Sequence, residues 1–318
     1  MQTVIIYGYK DVRVEEVPIP AIGPDDALVR VRASGLCGSD VHRYLTTEFG
    51  LTWKYPMNSG HEYCGDVAEV GANVTRFRVG DKATLGVAWP QGHLGAFSDY
   101  VYIPQADRRL VKLPQHVSYL DGAVLEPFTV ALKSCHRPSL TPDDSVLILG
   151  AGPIGLCVLL LCQVRGITDI TVSEISPVRR AMAAKLGAKT VDPATEKLEE
   201  VIKAATGGAG VDVSFECAGA DVTLNQAWTL TKRDGRVAMI AHYRKNPSFA
   251  FETFLHGSRS IYRPMDTGPF LEEAVQLISE GRINLAQLVS HQFPLARARD
   301  AFEAACDANA SIKVVFTP

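Results

Sequence analysis

Three short runs in the first 130 residues gather side chains that bind metals or move protons. They are Gly35-Leu36-Cys37-Gly38-Ser39-Asp40-Val41-His42, Gly60-His61-Glu62-Tyr63-Cys64-Gly65 and Leu125-Glu126-Pro127. A thiolate from Cys37, the imidazole of His61 and a carboxylate from Glu62 or Glu126 make a donor set suited to tetrahedral zinc with one position open. Spacing alone does not establish this and favours a packing role, since Cys37 and His61 stand 24 positions apart and buried cysteines are common in cores. A second chemistry is written in Gly150-Ala151-Gly152-Pro153-Ile154-Gly155, which follows the apolar stretch Ser145–Leu149 and opens another from Ile154. There Gly150 permits a tight turn, Gly152 lets backbone approach a pyrophosphate, and Gly155 packs helix on strand. Pro153 and Ile154 begin a helix whose N-terminal N–H groups suit phosphate. Glu174 follows 19 residues after Gly155, where an acid accepts from the adenosine ribose hydroxyls. Its charge opposes a 2′-phosphate and favours NAD over NADP; Arg179 and Arg180 nearby keep NADP as the alternative.

These groups need two kinds of scaffold. Up to about residue 118 the chain reads as β-rich: Thr3–Tyr7, Asp11–Val17, Ala27–Ala33, Asp66–Val70, Lys82–Val87 and Tyr100–Ile103 are short β-branched runs between Pro and Gly signals. From about 119 strands alternate with helix-length stretches. The strands are Val146–Leu149, Ile170–Glu174, Thr190–Asp192, Val211–Glu216, Arg236–Ile240 and Ser260–Arg263. The helices are Ile154–Val164, Pro177–Leu186, Lys197–Ala205 and Ala220–Thr231. That rhythm predicts an α/β fold with a doubly wound parallel sheet. The tail, with helices at 269–280 and 295–305 and a strand at 312–316, is expected to fold back on the N-terminal domain.

Composition narrows the partners. The chain has 318 residues, 47% hydrophobic and 21% charged, with 32 basic and 35 acidic residues for a net charge of −3. Nothing there attracts nucleic acid or an anionic membrane, so a small molecule is the expected partner. Seven cysteines without a C-x-x-C pair argue against a disulfide scaffold and for a reducing cytoplasm. The first ten residues show no signal-peptide pattern, so the sequons at Asn73 and Asn309 are chance matches. Ser145–Val164 lacks charge over a membrane-spanning length, but Gly150, Gly152, Pro153 and Gly155 break it into strand, turn and helix.

The segment from Gly60 through Gly71 to Val74 resembles the zinc-alcohol-dehydrogenase signature of the medium-chain dehydrogenase/reductase superfamily. The Cys37–His42 run, Leu125-Glu126-Pro127 and the glycine fingerprint occur in that family's order, and the resemblance covers essentially the whole chain. It is greatest to the polyol branch (sorbitol and xylitol dehydrogenases), with threonine and butanediol dehydrogenases next. The resemblance implies a GroES-like catalytic domain over 1–128, completed by 267–318, and a Rossmann domain over 129–266. It also implies zinc on Cys37, His61 and either Glu62 or Glu126, with Asp40 orienting His61. Ser39 and His42 would relay the alcohol proton, with Glu126 through water as the other route. Tyr44 and Arg263 resemble substrate-contacting positions. The implied enzyme oxidises a secondary alcohol with NAD, as a homo-oligomer. Rival readings are a zinc-free quinone or enone reductase and a non-catalytic dinucleotide-binding protein.

One departure is plain. No cysteine lies between Cys64 and Cys135, so the family's four-cysteine lobe is missing and a second, structural zinc is not expected. His93, in the shortened segment, could line the opened site, although a loop histidine is more often solvent-exposed.

Overall fold

The structure of the protein is a computed structural model that describes residues 1–46, 54–85, 95–243, 246–255, 257–264 and 270–318. Two compact units emerge: Met1–Glu126 with Leu271–Asp307 and Ser311–Pro318, and Pro127–Phe270 with Ala308–Ala310.

In chain order the first unit begins with β1 (Gln2–Gly8), β2 (Asp11–Glu16), β3 (Ala27–Gly35), α1 (Gly38–Leu45), β4 (Met57–Asn58) and β5 (Glu62–Val70). It continues with β6 (Lys82–Leu85), β7 (Tyr100–Ile103), α2 (Ala106–Arg109), β8 (Leu110–Lys112) and α3 (Tyr119–Ala123). The boundary falls two residues into the next helix, α4 (Leu125–His136). The second unit then runs β9 (Val146–Leu149), α5 (Pro153–Val164), β10 (Ile170–Ser173), α6 (Pro177–Lys185), β11 (Lys189–Val191) and α7 (Leu198–Ala205). After these come β12 (Val211–Glu216), α8 (Asp221–Thr229), β13 (Thr231–Met239), α9 (Phe251–Leu255) and β14 (Ser260–Tyr262). The chain returns to the first unit with α10 (Phe270–Ser279), β15 (Val289–Phe293), α11 (Ala298–Cys306) and β16 (Lys313–Phe316).

The central ladder of the first unit pairs β3 with β5 antiparallel, Gly35 opposite Glu62 and Ser34 opposite Tyr63. On its other edge β3 takes β16, with Val315 opposite Gly35. This register explains how residues far apart in sequence converge. Cys37 lies two residues past the end of β3, His61 one before the start of β5, and Lys313 begins β16. All three therefore reach the same end of one ladder. Alternation puts Val29, Val31, Tyr63, Val67 and Val101 into one buried cluster, while Val4, Ile6, Tyr44, Phe97, Phe302 and Phe316 form another.

In the second unit the strand order is β11-β10-β9-β12-β13-β14, every neighbouring pair parallel. This is the doubly wound sheet that the alternating pattern predicts. β9 reads Val-Leu-Ile-Leu and all four residues are buried, as expected for a strand covered on both faces. α5 is buried from Gly155 to Cys162, so the uncharged run is a core strand, a glycine turn and a core helix. No helix among the described residues is long and apolar enough to cross a membrane.

Cys135 and His136 close α4, with Cys135 buried and His136 exposed.

Candidate active site

Cys37 caps the N-terminus of α1, and its backbone N–H donates to Asp40 Oδ2 at 2.9 Å. Asp40 is fully buried, and its other oxygen accepts from Arg43 Nη1 at 2.8 Å and from the Ser59 hydroxyl. Arg43 Nη1 also donates to Ser59 Oγ at 2.7 Å. This triad fastens the first turn of α1 to the segment that delivers His61. Gly60 sits at φ 99°, and a Cβ there would lie 2.7 Å from the Phe97 ring. Only glycine makes this turn and lets the 58–61 strand exit lie against Phe97.

Cys37, His61 and Glu62 each offer a ligand atom, and these atoms lie within 4.8 Å of one another. Burial works against charge on the His61 ring. Nevertheless its hydrogen bond to Cys37 and the negative fields of Asp40, Cys37 and Glu62 push its pKa up to about 10. The cluster therefore stabilises positive charge at its centre, and a thiol, an imidazole and a carboxylate are zinc-type donors. On both counts these residues fit a zinc ion. Glu62 is buried and forms an ion pair with Lys313, itself 2% exposed, whose ammonium also donates to Leu36 O at 2.9 Å. A Cβ on Gly35 would lie 2.4 Å from Glu62 Oε2 and 2.8 Å from Lys313 Cε, so glycine leaves the room this pair occupies.

In the second unit Gly150 directly follows β9, and Gly152 caps α5 without a side chain. Pro153 has no N–H, so Ile154 and Gly155 present the first donors of the helix. A Cβ on Gly155 would meet Gly150 O at 2.0 Å, which is the close helix–strand packing expected of the third glycine. Glu174 follows β10, 7% exposed, and its two oxygens accept from Ala151 N at 2.6 Å and Ser176 N at 2.8 Å. Each oxygen keeps a lone pair for a ribose hydroxyl. Arg180 is committed elsewhere: it donates to Glu174 O at 2.8 Å and pairs with Asp192 at 2.9 Å. The Arg179 guanidinium lies 3.8 Å from where a Gly152 Cβ would stand. These features fit a dinucleotide with its adenosine ribose on Glu174.

Several expectations need correcting. Tyr44 is no substrate contact. It is fully buried, its hydroxyl donates to Glu303 at 2.6 Å, and its ring packs on Phe302 with centroids 5.0 Å apart. Asp40 does not hydrogen-bond His61. Its oxygens are taken by Cys37, Arg43 and Ser59, and it reaches the imidazole through its field. Glu126 is not in the three-ligand cluster among the described residues; its charge is felt by Lys313. Arg263 belongs to the second unit, exposed after β14, and acts on the Tyr243 phenol. Ser39 and His42 are both half-buried on the same short helix, α1. His93 lies outside the described residues. Sequence reasoning missed Arg43, Ser59 and Lys313. The signal for Lys313 was one lysine opening an otherwise apolar terminal strand, Lys-Val-Val-Phe.

Comparison with known proteins follows this geometry. Residues 23–115 match the alcohol dehydrogenase GroES-like domain and residues 153–280 the zinc-binding dehydrogenase domain. The chain belongs to the zinc-dependent medium-chain dehydrogenase/reductase family. It is 31% identical to a sorbitol dehydrogenase of Arabidopsis thaliana over 98% of this chain and 93% of the relative. It is 30% identical to an L-idonate 5-dehydrogenase of Vitis vinifera, again over 98% and 93%. The crystal structure of 2R,3R-butanediol dehydrogenase from Bacillus subtilis superposes with a TM-score of 0.90 at 29% identity, covering 100% of this chain and 99% of that one. The protein is thus an alcohol dehydrogenase of the zinc-binding, nicotinamide-dependent kind.

Proposed function

We propose that the protein oxidises a secondary alcohol of the polyol or sugar-alcohol class to its ketone, using NAD and one zinc ion per chain. The observation that carries this reading is the convergence of Cys37, His61 and Glu62 within 4.8 Å. Relatives named sorbitol and L-idonate dehydrogenases supply the substrate class, and the butanediol enzyme makes a vicinal diol the nearest variant. A bound zinc supplies a Lewis acid that lowers the pKa of an alcohol hydroxyl, and the nicotinamide supplies the hydride acceptor. Cys37, His61 and Glu62 hold the ion, while Asp40, Arg43 and Ser59 fix the turn that carries Cys37. Lys313 keeps the Glu62 carboxylate in place. Ser39 lies two residues after Cys37, and its Oγ takes the proton of the substrate hydroxyl and passes it toward His42, three residues on along α1. Glu174 carries the preference for NAD: its carboxylate suits ribose hydroxyls and opposes a 2′-phosphate.

A homo-oligomer is supported by the second unit's sheet. β14 is one of its two edge strands among the described residues, with Ile261 exposed on it and Phe251 and Leu255 exposed on α9. An edge strand with large exposed apolar side chains nearby is a surface that a second copy can cover.

One experiment tests the reading. Wild-type and Ser39→Ala enzymes are assayed with NAD against polyols, diols and primary alcohols, with zinc content measured in both. We expect one zinc per chain, turnover of polyols, and a kcat loss of roughly 10²–10⁴ in Ser39→Ala with zinc retained. Full activity after complete chelation sinks the metal reading, and near-normal turnover of Ser39→Ala sinks the relay.

A further inference from the structure

Glu216 ends β12 with no solvent exposure, and its hydrogen-bond donors are all neutral. One carboxylate oxygen accepts from Ala218 N at 3.0 Å, Gly219 N at 2.8 Å and Thr223 Oγ1 at 2.7 Å; the other accepts from the Tyr243 hydroxyl at 2.6 Å. Nothing in the mechanism above uses this group. Its position is informative. β12 lies beside β9, and the strand order reverses between them: β10 and β11 lie beyond β9, β13 and β14 beyond β12. In open α/β sheets a ligand crosses the carboxyl ends of the strands at this reversal. Glu174 marks the adenosine half on the β10 side, so the other half crosses to the ends of β12 and β13.

The loops there are packed together. A Cβ on Gly150 would stand 3.0 Å from Ala218 Cβ, so the glycine turn abuts the turn after β12. Gly219, at φ 75°, lies so close to the segment after β13 that a Cβ would sit 2.7 Å from His242 O. Glu216 ties these pieces through its two oxygens. We propose that Glu216 is a positioning residue for the nicotinamide half of the dinucleotide, fixing residues 217–220 to residues 241–243 as the floor on which that half lies. Tyr243 is the second member of the tie. The proposal rests on the reading that this unit binds a nicotinamide dinucleotide.

Glutamine at 216 keeps an acceptor oxygen for the three donors, and its amide N–H can donate to a rotated Tyr243 hydroxyl. Alanine leaves all four donors without their acceptor. The test measures Kd for NADH and, separately, for 5′-AMP, which reports on the adenosine half alone. The variants are Glu216→Ala, Glu216→Gln and Tyr243→Phe. In Glu216→Ala, NADH binding should weaken by about tenfold or more, with AMP binding unchanged within about twofold. Glu216→Gln should recover most of that loss. Tyr243→Phe should weaken NADH by about three- to tenfold with AMP unaffected; it decides the matter if the alanine variant does not fold. Equal weakening of AMP and NADH would show general loosening and overturn the proposal. So would unchanged NADH binding in folded Glu216→Ala or Tyr243→Phe protein. Wild-type protein that binds neither ligand overturns the dinucleotide reading itself.

Discussion

Asp40 and Glu62 in the first unit each face a buried or half-buried cation, Arg43 and Lys313, whereas Glu174 and Glu216 in the second are held by backbone N–H groups and hydroxyls. The difference follows from what each site must receive. Around Cys37 and His61, the carboxylates Asp40, Glu62 and Glu126 outnumber the cations Arg43 and Lys313. A further positive ion is therefore accommodated, and the field already favours one on His61. The second unit receives hydroxyls and phosphates. At its ligand turns Glu174 and Glu216 serve as acceptors that set turn geometry, and their donors are neutral. Ion pairing fixes charge around Cys37 and His61; hydrogen bonding fixes shape at the turns after β10 and β12.

The sharpest way to break the contrast is Lys313→Met. Removing one partner of a buried pair leaves an uncompensated charge on Glu62, and such losses run about 3–5 kcal/mol. Equilibrium denaturation of the metal-free protein should show a loss of that order. Adding Glu62→Gln should return much of it, because the orphaned charge is then gone. A Lys313→Met loss under about 1 kcal/mol would mean that the pair is solvated, in the range of a surface bridge.

These two sites were unequally legible in the sequence. Gly60-His61-Glu62 and Cys37 stood out because a thiol, an imidazole and a carboxylate together make a zinc-type donor set. The glycine turn stood out because Gly150, Gly152 and Gly155 each meet a separate steric need. The parallel sheet was legible in the alternation of buried strands and helices, although β13 begins at Thr231, where the pattern suggested a helix end. Lys313 was not legible, because its partner lies 251 residues away and only the β3–β16 register joins them. Tyr44 misled because an aromatic on α1 looks available until α11 covers it. Glu216 was passed over because its donors come from turns whose shape only the fold supplies.

Asp212 tests whether charge pairing also matters in the second unit, away from its ligand turns. Burial raises its pKa, but the Lys232 ammonium and two hydrogen bonds from Ser145 outweigh that and bring it down to about 2, from an ordinary 3.8. A folded-state value below the unfolded one contributes stability above about pH 4, and that contribution is lost as pH falls toward 2. A fall from 3.8 to about 2 corresponds to about 2 kcal/mol. Asp212→Asn should therefore be less stable by roughly that amount at pH 7, measured by urea denaturation. The gap to wild type should close between pH 4 and 2. A gap that persists unchanged at low pH would assign the effect to lost hydrogen bonds instead.

The smallest expected effect separates charge from shape at Glu174. Its carboxylate accepts from Ala151 N and Ser176 N, so glutamine keeps one acceptor while removing the charge. If repulsion sets cofactor choice, Glu174→Gln should raise kcat/KM with NADP and leave NAD within about threefold. The NAD-to-NADP ratio would then narrow by about tenfold, or 1.4 kcal/mol. Glu174→Ala should narrow it further by also weakening NAD, since the ribose hydroxyls lose their acceptor. Arg180 should contribute little in either variant, being held by Asp192 and the carbonyls of Glu174 and Ile175. Ratios unchanged in both variants would move cofactor choice from Glu174 to Arg179, whose guanidinium lies beside Gly152. The second unit would then discriminate by a cation after all, and the contrast with the first would fail at its ligand turns.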